Sequence, residues 1–201
     1  MICLKYREKN SQNTNIAIFY TFATHMEHRK LLNIELGRIS ASEYRNKGSQ
    51  GVVVVLDNIR SAHNVGSVFR TADAFGIDRV CLCGICATPP SAEIHKSALG
   101  AEDSVPWEHY SDTMEAISEL KEHGYKIISV EQTVGSVSLE SFNRDPGCRY
   151  ALVFGNEVDG VAQEVVDASD MTLEIPQWGT KHSLNVSVSA GVVLWAFRPG
   201  K

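Results

Sequence analysis

The chain has 201 residues, 43% of them hydrophobic, enough to bury a core as a single domain. Its 24 acidic and 19 basic side chains give a net charge of −5, which argues against a general nucleic-acid coat but leaves room for a local basic face. No apolar run approaches the roughly 20 residues of a membrane helix, the N-terminus lacks a signal-peptide pattern, and the five cysteines follow no disulfide framework; the cytoplasm is the expected compartment.

Residues 1–25 hold neither helical nor strand periodicity, while Met26 opens a more coherent stretch. Met26 therefore reads as the natural start, and residues 1–25 as a poorly ordered or non-native extension. Residues 26–50 read as a basic helix and loop segment, with Leu31, Leu32, Ile34, Leu36 and Ile39 suggesting a short helix between Arg29 and Tyr44. Candidates for a basic face are Arg29, Lys30, Arg38, Arg45, Lys47, Arg60 and Arg70, extended by Lys96, Lys181 and His182.

From residue 51 to the end the pattern turns α/β. Val52 to Leu56 is a continuous β-branched run, as expected of a strand covered on both faces. Asn64 is placed to cap a helix running to about Phe75, with Val65, Val68, Phe69 and Ala72 as its buried face and Gly76 as its stop. Val80 to Cys83 reads as the next strand. Asp112 and Glu115 form a capping-box pattern for a helix carrying Ala116, Ile117 and Leu120 and ending near Gly124. Ile127 to Val130, Ala151 to Phe154 and Met171 to Ile175 read as strands, with a loop-rich connection from Gly135 to Asp145. Strands alternating with helices at this spacing imply a mostly parallel sheet with helices on both faces. The final stretch is two-sided: Asn185 to Ser189 alternates like a strand, whereas Leu184, Val188, Gly191, Val192 and Trp195 fit a helix.

Two strands run directly into polar, Gly-containing loops, Gly155-Asn156-Glu157 and Pro176-Gln177-Trp178-Gly179, which suggests one shared pocket at the carboxyl ends of an open sheet. Signatures for a dinucleotide fold, a P-loop and a serine-hydrolase elbow are absent. Cys83 and Cys86 have metal-compatible spacing but no second pair, so packing as small hydrophobes is the better account of them. Arg70 interrupts a mostly apolar helix, where an unpaired charge would be costly. A partner is expected, either a carboxylate such as Asp73 or an anionic ligand, for which its fork of donors is suited. Glu157 reads as a general base, an anchor for loop amides or a solvated charge. Ser183 and Asn185 read as helix caps or ligand contacts.

Three motifs in order resemble the SpoU/TrmH family of the SPOUT superfamily of RNA methyltransferases: Asn64-Val65-Gly66 with Arg70-Thr71-Ala72-Asp73-Ala74-Phe75-Gly76; Phe154-Gly155-Asn156-Glu157 with Gly160; and Ile175-Pro176, Gly179 and Ser183-Leu184-Asn185-Val186-Ser187-Val188. Ser97 to Glu102 is similar to family members as well. The resemblance implies methyl transfer from S-adenosylmethionine to a ribose 2′-hydroxyl of tRNA or rRNA, with no metal. It also implies a deep C-terminal trefoil knot, a rare exception to the unknotted-chain rule, and a helix over Ser183 to Phe197. By motif position it gives Gly155, Ile175, Leu184 and Gln132 to the cofactor. Arg70, Asn64, Glu157, Ser183 and Asn185 go to catalysis, with Arg70 reaching the partner subunit's site in a homodimer. Val130 to Thr133 with Ile175-Pro176-Gln177 leans toward a guanosine in the tRNA D-loop. Relative to larger members the sequence shows neither an N-terminal nor a C-terminal RNA-binding extension. A non-catalytic RNA-binding factor on the same fold and a base methyltransferase of the wider superfamily are the competing readings.

Overall fold

The computed structural model describes residues 29–198, so the expectations for Met26 and residues 1–25 lie outside the described residues. Residues 29–38 form one unit, built on a 3₁₀ turn at Asn33–Leu36. The Arg29 guanidinium grips Glu35 at 2.9 and 2.6 Å, and Glu35 also accepts from the Leu32 amide. Leu31, Leu32, Ile34 and Leu36 are exposed, and the helical turn of this segment is the 3₁₀ turn at Asn33–Leu36.

The second unit begins at Ile39, inside the segment expected to precede the main domain. The reason is Tyr44 on helix α1 (Ala41–Asn46). It is 5% exposed and its hydroxyl donates to the carbonyls of Ala72 (3.1 Å) and Ile77 (2.8 Å). Ser40 and Glu43 cap α1 reciprocally.

Seven strands form one sheet in the order β3-β2-β1-β6-β4-β7-β5, from β1 (Val52–Asp57), β2 (Arg79–Cys83), β3 (Trp107–Tyr110), β4 (Tyr125–Val130), β5 (Val137–Ser138), β6 (Arg149–Phe154) and β7 (Met171–Glu174). Every pairing is parallel. Strand β1 is buried throughout, and alternate residues serve opposite faces. Val52, Val54 and Leu56 pack under α2 (Ala62–Ala74), α3 (Ala92–Ala98) and α7 (Val186–Phe197). Val53 and Val55 pack under α5 (Thr113–Glu122) and α6 (Gln163–Ala168), and α4 (Ala101–Ser104) completes the helices.

Helix α2 starts at Ala62 and is capped by Ser61, whose hydroxyl accepts from the Asn64 amide. Asn64 was expected at the cap; it lies inside the first turn, which frees its side chain for other partners. Helix α2 ends as expected: Gly76 is left-handed (φ 67°), and the Ile77 amide returns to the Ala72 carbonyl. Asp112 caps α5 through the Met114 amide, but Glu115 accepts from the Ser111 hydroxyl instead of closing a box. The last element is a helix, α7, with Asn185 as its cap, and the strand-like alternation at its start is overturned. Strand β5 lies within the stretch from Gly135 to Asp145 expected as a loop-rich connection, and helices α3, α4 and α6 and strand β3 had no sequence expectation.

The three cysteines near β2 are packed and protonated. Burial pushes the Cys81 thiol up to about 12 and the Cys86 thiol to about 11. Cys86 donates to the Leu56 carbonyl and accepts from the Ile59 amide, which occupies its sulfur structurally.

Helices α2 and α3 meet at Gly66. A Cβ there would overlap the Ile94 carbonyl and the Ser97 hydroxyl. Gly→Ala in a helix interior ordinarily stabilises by roughly 0.5–1 kcal/mol. At Gly66 the sign reverses: Gly66→Ala is expected to destabilise by about 1–3 kcal/mol through overpacking, read as a lower urea midpoint.

Candidate active site

A cleft of about 630 Å³ opens at the carboxyl ends of β4, β6 and β7. Its walls are the turn after β4 (Glu131, Gln132, Thr133), the loop after β6 (Gly155 to Val161), and the segment from Ile175 to Ser189. The two Gly-containing loops therefore do share one pocket. Gly155, Ile175, Leu184 and Gln132, the cofactor candidates, all line it, as do Glu157, Ser183 and Asn185.

The loop from Gly155 to Ala162 is held by carboxylates at its two ends. Asp57, 2% exposed at the end of β1, accepts from the Ala162 amide (2.9 Å), the Thr113 hydroxyl (2.6 Å) and Asn58 Nδ2 (2.8 Å). Glu131, just past β4, accepts from the amides of Val161 (3.1 Å) and Gln132 (2.9 Å). Glu157 reaches the other way, to the start of α2, accepting from Arg60 N (2.9 Å), Ser61 N (3.1 Å) and Asn64 Nδ2 (2.8 Å). Between these anchors Asn156 and Gly160 exchange backbone hydrogen bonds at 2.9 Å, and Asn156 Nδ2 donates to the Asn58 carbonyl. Gly155 has no alternative here, because a Cβ would overlap the backbone of Gly160 and Val161.

Asn64, 8% exposed, joins the motifs. Its Nδ2 donates to Glu157 and its Oδ1 accepts from Asn185 Nδ2 at 3.2 Å. Asn185 in turn caps α7 through the Ser187 amide and hydroxyl. Gln132 donates to the His182 carbonyl at 2.7 Å, tying the segment before α7 to the end of β4.

Partial burial pushes the Glu157 carboxyl up, but its donors at Arg60, Asn64 and Ser61 outweigh that and hold it below the ordinary glutamate range. Of the three roles its sequence context allowed, these contacts are those of an anchor for loop amides.

Arg70 stands apart. Val65, Val68, Phe69 and Ala72 take the inner face of α2 and Arg70 is exposed on the outer one, so burial does not by itself demand a partner for it. It makes no ion pair or hydrogen bond with the described residues of its own chain and does not line the cleft.

Glu131 and Asp57 were missed as site-building residues. Each is a carboxylate at the end of an apolar run, VVVVLD and IISVE, and that abrupt switch was the available signal. Among the described residues lining the cleft are four carboxylates, Glu131, Glu157, Asp159 and Glu174, and no Lys, Arg or His. Such a lining suits a compact cationic ligand and disfavours phosphate. No group of three His, Cys, Asp or Glu among the described residues is arranged to hold a metal.

The model of the SpoU rRNA methylase family matches residues 51–195. The chain is 36% identical over 149 residues to the 23S rRNA (guanosine-2′-O-)-methyltransferase RlmB of Neisseria meningitidis, covering 74% of this chain and 58% of that one. It is also 36% identical to the enzyme of the same name from Nitrosomonas europaea, covering 72% of this chain and 54% of the relative. The chain thus spans little more than half the length of these relatives. Among solved structures, the AdoMet-bound rRNA methyltransferase of Sinorhizobium meliloti is similar with a TM-score of 0.70 and 26% identity, over 77% of this chain and 59% of that one. The A. aeolicus TrmH/SpoU tRNA modifying enzyme has a TM-score of 0.67 and 28% identity, over 78% and 80%.

The anchoring role of Glu157 has a pH signature. A carboxyl whose folded pKa is lowered stabilises the fold above its unfolded value, about 4.3, and that contribution is lost as pH falls through the folded value. Glu157→Gln is expected to lower the urea midpoint at pH 7, with the gap to wild type closing as pH drops toward 3. A gap independent of pH would remove Glu157 from the anchor.

Proposed function

The chain belongs to the SpoU rRNA methylase family, and on that premise we propose that it is an S-adenosylmethionine-dependent RNA methyltransferase acting in the cytoplasm on a ribose 2′-hydroxyl. The observation that carries this reading is the hydrogen-bonded run Asn185–Asn64–Glu157, which ties the first motif to residues of the other two that line one acidic, cation-suited cleft. Gly155 supplies the closely approached backbone wall, and Gln132, Ile175 and Leu184 the others. When bound, the donor supplies a sulfonium methyl carbon, whose bond to sulfur breaks, leaving the electron pair on sulfur, as the bond to the ribose oxygen forms.

The protein's part is placement, which can supply on the order of 7–11 kcal/mol in favourable cases. Arg70 grips an RNA phosphate beside the reacting ribose and polarises the hydroxyl; a guanidinium resists deprotonation, so the hydroxyl proton leaves to water. Ser183, exposed on the cleft wall, and Asn185 orient the ribose through neutral hydrogen bonds, and Asn64 holds Asn185.

Arg70 acts in the partner subunit's site of a homodimer. Two features support this: Arg70 has no ionic partner among the described residues of its own chain, and α7 leaves Val188, Val192 and Trp195 exposed at spacings of one turn. The deep trefoil knot belongs to the same reading, supported by the Gln132–His182 hydrogen bond that ties the segment after β7 to the end of β4. As substrate, a guanosine in 23S rRNA has the support of the two relatives named for that activity, whereas the tRNA D-loop guanosine rests on the Val130–Thr133 and Ile175–Gln177 residues. Nucleoside mapping of tRNA and rRNA from cells with and without the gene decides between them, and a methyl found on a base would exclude ribose chemistry.

Arg70→Ala is expected to keep S-adenosylmethionine affinity within about twofold by calorimetry while methyl transfer falls by about a hundredfold or more. Mixing Arg70→Ala with the cleft-blocking Gly155→Val variant is expected to restore about a quarter of wild-type activity, because each mixed dimer keeps one intact composite site. No recovery on mixing would make Arg70 act within its own subunit.

A further inference from the structure

The segment between β7 and α7 carries an aromatic side chain that the catalytic reading leaves unused. Trp178 is 84% exposed, against 37% for Trp107 and 55% for Trp195. Unlike Trp195, which packs on Phe75 at 5.8 Å, Trp178 takes part in no ring pair and no core cluster among the described residues. An indole offers a large apolar surface with two rotatable angles, and leaving it in water wastes that surface unless a ligand covers it.

Its position says which ligand. Gln177, the preceding residue, lines the cleft, and the chain comes back to the cleft wall at Ser183 and Leu184, so Trp178 sits on a loop whose two ends form part of that wall. The returning limb is held by the hydrogen bond from Gln132 to the His182 carbonyl, which limits how far the loop can swing. Lys181 and His182 on the same loop are exposed. The cleft interior is lined by carboxylates and lacks basic side chains among the described residues, whereas this loop carries an exposed aromatic side chain and, three residues on, the exposed Lys181. Aromatic and cationic side chains side by side are the recognition chemistry of unpaired RNA: the ring stacks on a base and the cation takes the adjoining phosphate.

Where the target nucleotide is turned out of the helical stack to bring its ribose into the cleft, the face of the neighbouring base is exposed. We propose that Trp178 is the stacking platform for the unpaired base beside the target nucleotide, with Lys181 on the phosphate between them. Stacking is tolerant of base identity because every base has a π-face, so this contact sets affinity and demands a single-stranded neighbour without dictating its sequence. The inference rests on the RNA methyltransferase reading and adds to it a rim contact that the three motifs do not contain.

The test uses the full chain, tRNA and rRNA isolated from cells lacking the gene, and S-adenosylmethionine. Trp178→Ala is expected to weaken RNA binding by about ten- to a hundredfold, with S-adenosylmethionine affinity and sedimentation unchanged. Trp178→Phe is expected to recover most of the loss. In a Trp107→Phe/Trp195→Phe background, where Trp178 is the remaining indole, RNA should quench tryptophan fluorescence. Unchanged RNA affinity in Trp178→Ala overturns the proposal. So does a parallel loss of S-adenosylmethionine affinity, which would assign the indole to the cofactor wall, or a loss of dimer, which would assign it to the partner subunit. Failure of the unaltered protein to bind RNA or S-adenosylmethionine would instead bring down the methyltransferase reading, and this inference with it.

Discussion

The cleft depends on three carboxylates accepting hydrogen bonds from backbone amides. A parallel sheet leaves the loops at its carboxyl edge with main-chain donors that no strand satisfies, and those donors must be met before the loops hold a shape. Asp57 and Glu131 take the amides of Ala162 and Val161, while Glu157 takes those of Arg60 and Ser61. Hydrogen bonds to ionised acceptors are the strong ones. With its carboxyl end held by Asp57 and Glu131 and Glu157 tied to the start of α2, the loop from Gly155 to Ala162 is fixed at both places, and the Gly155 backbone approaches Gly160 closely.

The same carboxylates resolve an apparent conflict between an acidic chain and a proposed RNA substrate. Four carboxylates line the cleft, where the proposed methyl donor is cationic. Positive charge lies outside it, at Arg70 on the open face of α2 and at Lys181 on the loop after β7. A phosphate backbone is then repelled from the donor pocket and attracted to its edge, which is where a ribose must stop to be methylated. Net charge says little about such a surface; its distribution says a good deal.

The sequence was most legible where local chemistry and tertiary structure agree. The β-branched run of β1, the amphipathic face of α2 and its Gly76 stop all follow from residue type, as does the pooling of two Gly-containing loops into one pocket. It was least legible where a side chain serves a distant partner. Asn64 looks like a cap because the cap and the motif position are adjacent; only its contacts with Glu157 and Asn185 reveal the difference. Arg70 stands among apolar neighbours in sequence, but the helix turns it to the outer face, away from Val65, Val68, Phe69 and Ala72. Asn185 to Ser189 alternates like a strand, but the Asn185 cap and the seam of Ala190, Val193, Leu194 and Phe197 against the core make it helical. Short elements such as β5 and α4 carry too few residues for any period to register.

One consequence concerns the order in which the chain acquires this site. Strand β1 lies at the heart of the sheet, yet its neighbour β6 is made much later, and the Asn58–Asn156 contact closes a separation of 98 residues. The Asn64–Asn185 contact closes 121. Contacts this distant pay their loop-closure entropy late and fold slowly. During synthesis β1 and β2 emerge with one flank of β1 unpaired, an apolar edge open to association until β6 arrives. The cleft cannot exist before α7 is out, so a nascent chain carries the first motif without a site, and its early strands stay open to association until β6 is made.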